Sequence, residues 1–424
     1  MQGFLELAER SRVQGGAIEK MFSFTEREFI PVMLGGDINT YSMARAFYEQ
    51  YQVKSYIFGK YASGPSWGSR IIEYSADPAI ETDEGFLRIV NGFAASHPEK
   101  KILLIGCGDS YVSLISKHKE ELAGNIVAPY IDHELMTELQ MKESFYALCD
   151  RYGIDHPGTI IYEPSMGTEF EMDFGYPCIL KPSNGIMYWE HPFEGQNKVF
   201  TIASRPELES TIKKIYDAGY EDTLIIQDRI PGNDEYMYVL SSYSNSEGRV
   251  QMMCLGHVLL EEHTPHGLGN HAVIITEFNE ELMAKARKLL EELRYVGFSN
   301  FDIKYDSRDG KFKFFEINTR LGRSNYYVTG AGFNVTRYVV EDYIYDRRGE
   351  LELCRDEHLW MVVPKGVALK YVKQPENVSK IKELSAAGKS VNPIFMKGDL
   401  APGRRFAMTK NYFSHYVKYR RYYS

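Results

Sequence analysis

Close cysteine pairs are missing from this 424-residue sequence. Its five cysteines, Cys107, Cys149, Cys178, Cys254 and Cys354, are scattered and odd in number. That pattern fits reduced thiols in a cytoplasmic protein rather than a disulfide framework. No CxxC or HExxH spacing points to zinc. No apolar run approaches about 18 residues, so there is no candidate transmembrane segment. The opening "MQGFLELAERSRVQGG" mixes charged and apolar residues and lacks the form of a signal peptide. Basic residues are not in excess: 49 Lys and Arg stand against 58 Asp and Glu, a formal net charge of −9. A dedicated nucleic-acid binder would show a basic field instead. No internal repeat is strong enough to use.

What is there alternates. "FIPVMLGG" is an apolar strand entering paired glycines, and "DINTYSMARAFYEQY" follows with Met43, Ala44, Phe47 and Tyr51 at helical spacing. "VKSYIFG" reads as the next strand, and "KILLIGCGDSYVSLISKHKEEL" repeats strand, glycines and helix. Such alternation implies a parallel sheet with helices on its faces, placed at 28–130 after an N-terminal extension, 1–27, that begins with a helix. The turns "MLGGDIN" and "IGCGDS" lack GxGxxG, and Asp37 and Asp109 carry the wrong sign for an anion cradle. They read as tight strand–helix turns, with Asp37 and Asn39 as candidate contacts for a substrate amine or hydroxyl.

From Asp132 the texture changes to α+β, over 131–345. "DHELMTELQMKESFYALCDRYG" is a helical stretch stopped by "HPG". "YPCILKP" and "DTLIIQDRIPG" are short strands, and "NDEYMYVLSSYSNSEGRVQMMCLGHVLLEEH" reads as antiparallel strands. "NEELMAKARKLLEELRYVG" is an amphipathic helix, and "SNFDIKYDSRDGKFKFFEIN" a hairpin with "SRDG" as its turn. In the tail, 346–424, "HLWMVVPKGVALKYV" is expected to form two strands and "ENVSKIKELSAAG" a short helix. The last stretch, "KNYFSHYVKYRRYYS", interleaves aromatics with cations. Two readings stand: contact with anionic headgroups or a phosphate-bearing substrate, or tyrosines packed inward with cations facing water.

The chemistry gathers on the hairpin. Glu316 and Asn318 lie two apart in "FFEINTRLGRSN" and so share one strand face. Asp302 sits on the facing strand, and Arg320 and Arg323 follow on a loop. Oxygen ligands beside guanidiniums suit a hard cation holding an anion such as a nucleotide. A cross-strand polar network without metal, with Lys304 paired to Glu316, is the bland alternative. Lys181 ends the strand "CILKP" and can reach phosphates under a loop; Lys142 lies in the preceding helical stretch. Each of these lysines, taken singly, also reads as an ordinary surface residue. Gln227 to Ile230 offer backbone to an adenine edge, with Asp228 or Glu235 for a hydroxyl.

The ordered series Lys142, "PCILKPSNG", "IIQDRIPGNDEY", "NFDIKYD" and "FFEINTRLGR" resembles the ATP-grasp superfamily, over about 29–340. The opening "FIPVMLGGDINTYSMARAFYEQY" is similar to the D-aspartate ligase family and related carboxylate–amine ligases. The resemblance implies an N-terminal parallel-sheet domain followed by a two-lobed ATP-grasp fold, α/β then α+β; the tail, 346–424, lies beyond it and is expected to pack on the catalytic region through its tyrosines. It implies ATP and Mg²⁺ as cofactors. By the same resemblance Lys142 and Lys181 contact phosphates, Gln227, Asp228 and Ile230 hold adenine, and Asp228 or Glu235 holds ribose. Asp302, Glu316 and Asn318 match the magnesium ligands, Arg320 the arginine that steadies the acyl phosphate, and Arg323 a grip on a substrate carboxylate. The usual phosphate-covering loop is richer in small residues than "SNGIMYWEHPFEGQNK"; Lys198 is its candidate phosphate contact.

The implied activity is amide formation through an acyl phosphate, under a lid at about 183–197. Asp37 and His263 are candidate general bases. The implied donor is an amino-acid carboxylate, D-aspartate in this family, and the acceptor is the lysine amine of a peptidoglycan precursor. Competing readings are a dipeptide or small-metabolite ligase and a catalytically silent nucleotide-binding scaffold. A homodimer is compatible with all of them.

Overall fold

The computed structural model describes residues 23–423 except 168, 266 and 400. Three sheets carry the chain. In the first, β1 (Phe29–Leu34), β2 (Ser55–Gly59), β3 (Ile72–Ala76), β4 (Lys101–Gly106) and β5 (Ile126–Val127) are parallel, in the order β3-β2-β1-β4-β5. "FIPVML" and "KILLIG" are near-continuous apolar runs because a central parallel strand is covered on both faces. Pro31 is tolerated there since pairing with β2 begins at Val32.

The second sheet is antiparallel, in the order β6-β9-β7-β8, from β6 (Thr159–Tyr162), β7 (Cys178–Pro182), β8 (Phe200–Ile202) and β9 (Leu224–Asp228). Helix Arg205–Asp217 buries Leu208, Ile212 and Ile215 in the same core. The third sheet has eight strands. β10 (Met237–Ser244), β11 (Val250–Glu261), β12 (His271–Glu277), β13 (Gly297–Asp306) and β14 (Lys311–Asn318) supply its body. Three short strands of the tail, β15 (Glu352–Leu353), β16 (Leu359–Met361) and β17 (Ser390–Val391), join it.

Helix Glu280–Glu292 turns Leu282, Ala286, Leu289 and Leu290 inward, as its 3.6-residue period predicts. One core cluster runs from Val32, Leu104 and Phe86 of the parallel layer to Leu240, Met253 and Phe301 of the eight-stranded layer. That shared core holds the C-terminal ends of β1 and β4 against the end of β14.

β14 is the outer strand of its sheet, and its outward groups at Phe314 and Phe315 are covered. The Phe314 amide donates to the Asp155 carbonyl at 2.8 Å. The Phe315 carbonyl accepts from the Tyr146 hydroxyl at 3.0 Å and from Lys142 Nζ at 3.2 Å.

Several elements differ from expectation. The stretch from Asp132 is two helices, His133–Gln140 and Lys142–Tyr152, broken where Met141 turns extended. Lys142 therefore starts a helix instead of lying inside one. Gly153, with φ 69°, ends the second helix before "HPG" is reached. Of the two strands expected in "HLWMVVPKGVALKYV", only β16 forms. Pro364 ends the extended run, and Lys365–Tyr371 is a helix with Val367 and Ala368 buried. The helix expected at the N-terminus falls mostly outside the described residues, and 23–27 are not helical. The expected lid contains a helix, Gly185–Glu190, pinned by buried Tyr188, whose hydroxyl donates to the Asn197 carbonyl at 2.8 Å.

Candidate functional site

The hairpin register puts Asp302 directly opposite Glu316 and Asn300 opposite Asn318. Asn318 Nδ2 donates to Asp302 Oδ2 at 3.3 Å, and Asn300 Nδ2 to Asp302 Oδ1 at 3.4 Å. Lys142 Nζ lies 2.8 Å from Glu316 Oε2. Lys304, the alternative partner for Glu316, instead donates to the Gly232 carbonyl at 3.0 Å.

Burial, and then the negative charge of Glu316, push the Asp302 carboxyl up to about 8. Burial acts on Glu316 in the same direction, but Lys142, the hydrogen bond with Asp302 and the charge of Lys181 together hold that carboxyl below its ordinary value. Two facing carboxylates that cannot both hold charge comfortably, with a carboxamide beside them, form an oxygen set that fits a hard divalent cation. Among the described residues no group of three or more His, Cys, Asp and Glu side chains has metal-holding geometry, so the carboxamide is needed to complete this set.

Lys181 projects from β7, with Nζ 3.4 Å from Gln227 Oε1. Burial, followed by the positive charge of Lys142, lowers its pKa to about 8; Lys198 adds to the repulsion. Three cations thus crowd one place without enough negative charge to satisfy them. Lys198 itself is exposed in the segment before β8.

The other nucleotide candidates divide. Gln227 is buried on β9, its Nε2 donating to the Tyr146 hydroxyl at 2.8 Å and to Thr159 Oγ1 at 3.0 Å. Ile230 is buried just beyond the strand end. Asp228 is ion-paired to Arg308, which also grips Asp306. Glu235 is turned elsewhere. Its buried carboxylate accepts from the Lys373 amide at 2.9 Å, the Gln374 amide at 3.0 Å and Asn377 Nδ2 at 2.9 Å. With both oxygens filled by the tail, it is not placed as a free ribose acceptor.

The parallel sheet contributes a second wall. From β1 the chain proceeds through β2 to β3 on one side, and from β4 to β5 on the other, so β1 and β4 flank a topological switch point. Asp37 and Asp109 stand just after these two strands. Arg320 is bidentate on Asp109, with Nε–Oδ1 2.6 Å and Nη2–Oδ2 2.7 Å, and its Nη2 also reaches Asn318 Oδ1 at 3.4 Å. Arg323 Nε lies 3.8 Å from Asp37 Oδ2. The two arginines therefore span from the hairpin to the switch point.

Gly35, with φ 135°, makes the bend that aims Asp37 there. Asp37 Oδ1 accepts from the Asn39 and Thr40 amides, taking donors that an anion would use. Asn39 does not face a substrate. It is buried, donating to the Cys107 and Leu321 carbonyls at 3.2 and 2.9 Å and accepting from Asn325 Nδ2 at 2.6 Å. His263 is held by Asp234 at 2.9 Å and lies against the Tyr423 ring, so neither base candidate stands free of structural work.

Asp109 was visible in the sequence only as an obstacle to phosphate. The repeated strand–glycine–aspartate pattern and the two arginines of "TRLGR" were the available signal. Glu261, the last residue of β11, was missed altogether. Burial, then Asp234, raise its pKa to about 7, and its charge acts on Asp302.

Comparison with known proteins supplies independent findings. Residues 272–342 match the family model described as carbamoyl-phosphate synthase L chain, ATP binding domain. The chain is 37% identical over 419 residues to D-aspartate ligase of Enterococcus faecium, covering 95% of this chain and 99% of that protein. Among solved structures, L-amino acid ligase from Bacillus licheniformis is similar at TM-score 0.52 and 16% identity, covering 75% of this chain and 74% of that one. The biotin carboxylase domain of Hydrogenobacter thermophilus 2-oxoglutarate carboxylase, solved with MgADP, ADP and bicarbonate, is similar at TM-score 0.55 and 14% identity, covering 77% and 72%. The structural likenesses bear on fold.

Proposed function

Because this chain belongs to the D-aspartate ligase family of ATP-grasp carboxylate–amine ligases, we propose that it joins the β-carboxylate of D-aspartate to the lysine amine of a peptidoglycan precursor. ATP is converted to ADP and phosphate. In this reading 28–130 holds the donor, 131–345 holds ATP and performs the chemistry, 346–424 braces the catalytic region, and 1–27 is an extension.

A carboxylate resists an amine because its charge repels the nucleophile and oxide is a poor leaving group. One β-carboxylate oxygen therefore attacks the γ-phosphorus, ADP departs, and an acyl phosphate forms. Lys142, Lys181 and Lys198 offset the phosphate charge as it spreads. Gln227, Asp228 and Ile230 hold the nucleoside. Mg²⁺, when bound, would be held by Asp302, Glu316 and Asn318 and would supply charge neutralisation at the phosphates.

Arg323 grips the donor α-carboxylate with its planar fork, and Asp37 opposite it suits the α-ammonium. Arg320, oriented by Asp109, steadies the reacting carboxylate and then the acyl phosphate. The neutral lysine amine attacks the acyl carbon and the nitrogen loses a proton. Phosphate leaves carrying the original carboxylate oxygen.

The observation that carries this reading is the continuous line from the Asp302–Glu316 pair through Asn318 and Arg320 to Asp109. It joins the nucleotide side to the switch point, where a second anion would sit. Incubation with ATP, Mg²⁺, the acceptor and D-aspartate labelled with ¹⁸O in its carboxylates is expected to place one ¹⁸O in the released phosphate. Amide formed with unlabelled phosphate would refute the acyl-phosphate route. Label transfer from another amino acid but not from D-aspartate would refute the donor.

A further inference from the structure

The C-terminal helix, Pro402–Tyr422, has two unlike faces. Its inner face is fastened to the body. Tyr419 donates its hydroxyl to the Glu261 carbonyl at 2.6 Å, Tyr412 donates to the Val363 carbonyl at 3.1 Å, and Arg404 pairs with Asp399 at 3.2 Å. Its outer face leaves Phe406 73%, Phe413 55% and Val417 69% exposed. Spacings of seven and four put these three side chains on one line along the helix.

The charge on this helix is all of one sign. It carries Arg404, Arg405, Lys410, Lys418, Arg420 and Arg421 and no Asp or Glu, in a chain of net charge −9. Arg404 and Lys418 have acidic neighbours, the latter Glu262 at 3.7 Å. Arg405, Lys410, Arg420 and Arg421 are exposed and make no ion pair among the described residues. At about 100° per residue, Lys410, Arg420 and Arg421 fall within roughly 60° of the apolar line.

We propose that this outer face docks the protein onto an anionic phospholipid surface. The helix lies in the interface plane, with Phe406, Phe413 and Val417 entering the headgroup boundary and the cations meeting lipid phosphates. An aromatic and aliphatic line flanked by Lys and Arg is the composition of an interfacial helix. A second copy of the chain fits the face poorly, because a twofold contact would set the same cations against each other. No helix among the described residues is long and apolar enough to cross a membrane.

Sedimentation of the full chain with vesicles tests this. The protein is expected to pellet with vesicles of equal phosphatidylglycerol and phosphatidylcholine at low salt, less at high salt, and not with phosphatidylcholine alone. Lys410→Glu with Arg421→Glu is expected to weaken binding at least ~20-fold, at about fivefold or more per cation. Phe413→Ser with Val417→Ser is expected to weaken it comparably. Circular dichroism and thermal midpoint should be unchanged in both variants, because the altered side chains are exposed. Failure of the native protein to pellet with the anionic vesicles would overturn the proposal. So would full binding by the Phe413/Val417 variant, which would mark adsorption by charge alone. Self-association without lipid that the same variant abolishes would assign the face to a second copy and overturn it too.

Discussion

Replacing Lys181 with Met is expected to stabilise the free protein while crippling the enzyme. The lysine is held at about 8, against an ordinary 10.5, by burial and by Lys142 and Lys198. Between these two values the unfolded chain carries a proton that the folded protein lacks. Stability therefore rises with pH across that window, and the cost of the buried charge is fully present below about pH 8. At 1.36 kcal/mol per pH unit the gap has a ceiling of about 3 kcal/mol, and relaxation of the site brings the expected gain from Lys181→Met at pH 7 to roughly 1–3 kcal/mol. Nucleotide reverses the balance. A hydrogen bond from the charged amine to phosphate contributes about 1.5–3 kcal/mol, so kcat/KM for ATP should fall about 10–150-fold. Thermal unfolding at pH 7 with and without Mg-ATP, together with ADP release in the steady state, reads both signs. The wild type should bind ATP progressively more weakly above about pH 8, and the variant should lose that dependence. A variant no more stable than the wild type, with kcat/KM for ATP within about twofold, would refute the reasoning.

Two further substitutions separate site from scaffold. Asp109→Asn removes the charge that orients Arg320, and should raise the KM for the amino-acid donor roughly tenfold while leaving the KM for ATP nearly unchanged. An effect confined to the ATP KM would place Arg320 on the nucleotide instead. Glu235→Gln should lower stability by about 2–4 kcal/mol, because it turns an amide toward the donors of Lys373, Gln374 and Asn377. A large rise in ATP KM with an unchanged thermal midpoint would restore Glu235 to the ribose.

The hairpin was legible because its information is local. The alternation of "FDIKYD" and "KFKF" around "SRDG" sets the turn and the first rungs, from Asp306 opposite Lys311 to Ile303 opposite Phe314, whereas Asp302 comes opposite Glu316 only through a bulge at Phe315 that the doubled Phe314–Phe315 marks in the sequence. The parallel sheet was legible for the same reason, through repeated strand, glycine and helix. Asp109 and Glu235 were not. Their partners lie 211 and 138 residues away, and nothing in "IGCGDS" or "GNDEY" says which arginine or which backbone amide the fold will deliver. Met141 marks a different limit. A continuous helical pattern gives no sign that one residue will turn extended, yet that break gives Lys142 a helix start beside Glu316. The second strand expected near 365 failed because a short apolar run reads alike in either state, and Pro364 decided it.

The covering of β14 has a consequence for how its lysine can be studied. Lys142 Nζ reaches the Phe315 carbonyl as well as Glu316, and with Tyr146 and Asp155 it covers the outer hydrogen-bonding rim at Phe314 and Phe315, on the strand that bears Glu316 and Asn318. An uncovered rim on an apolar, aromatic strand is a template for cross-chain pairing and aggregation. Truncating Lys142 thus removes a cation and one guard of that rim together. A preparation that clumps and loses activity would report the second loss as readily as the first, and only the activity of its monomeric fraction speaks for phosphate. The side chains that ready this strand for chemistry also keep it from recruiting strangers.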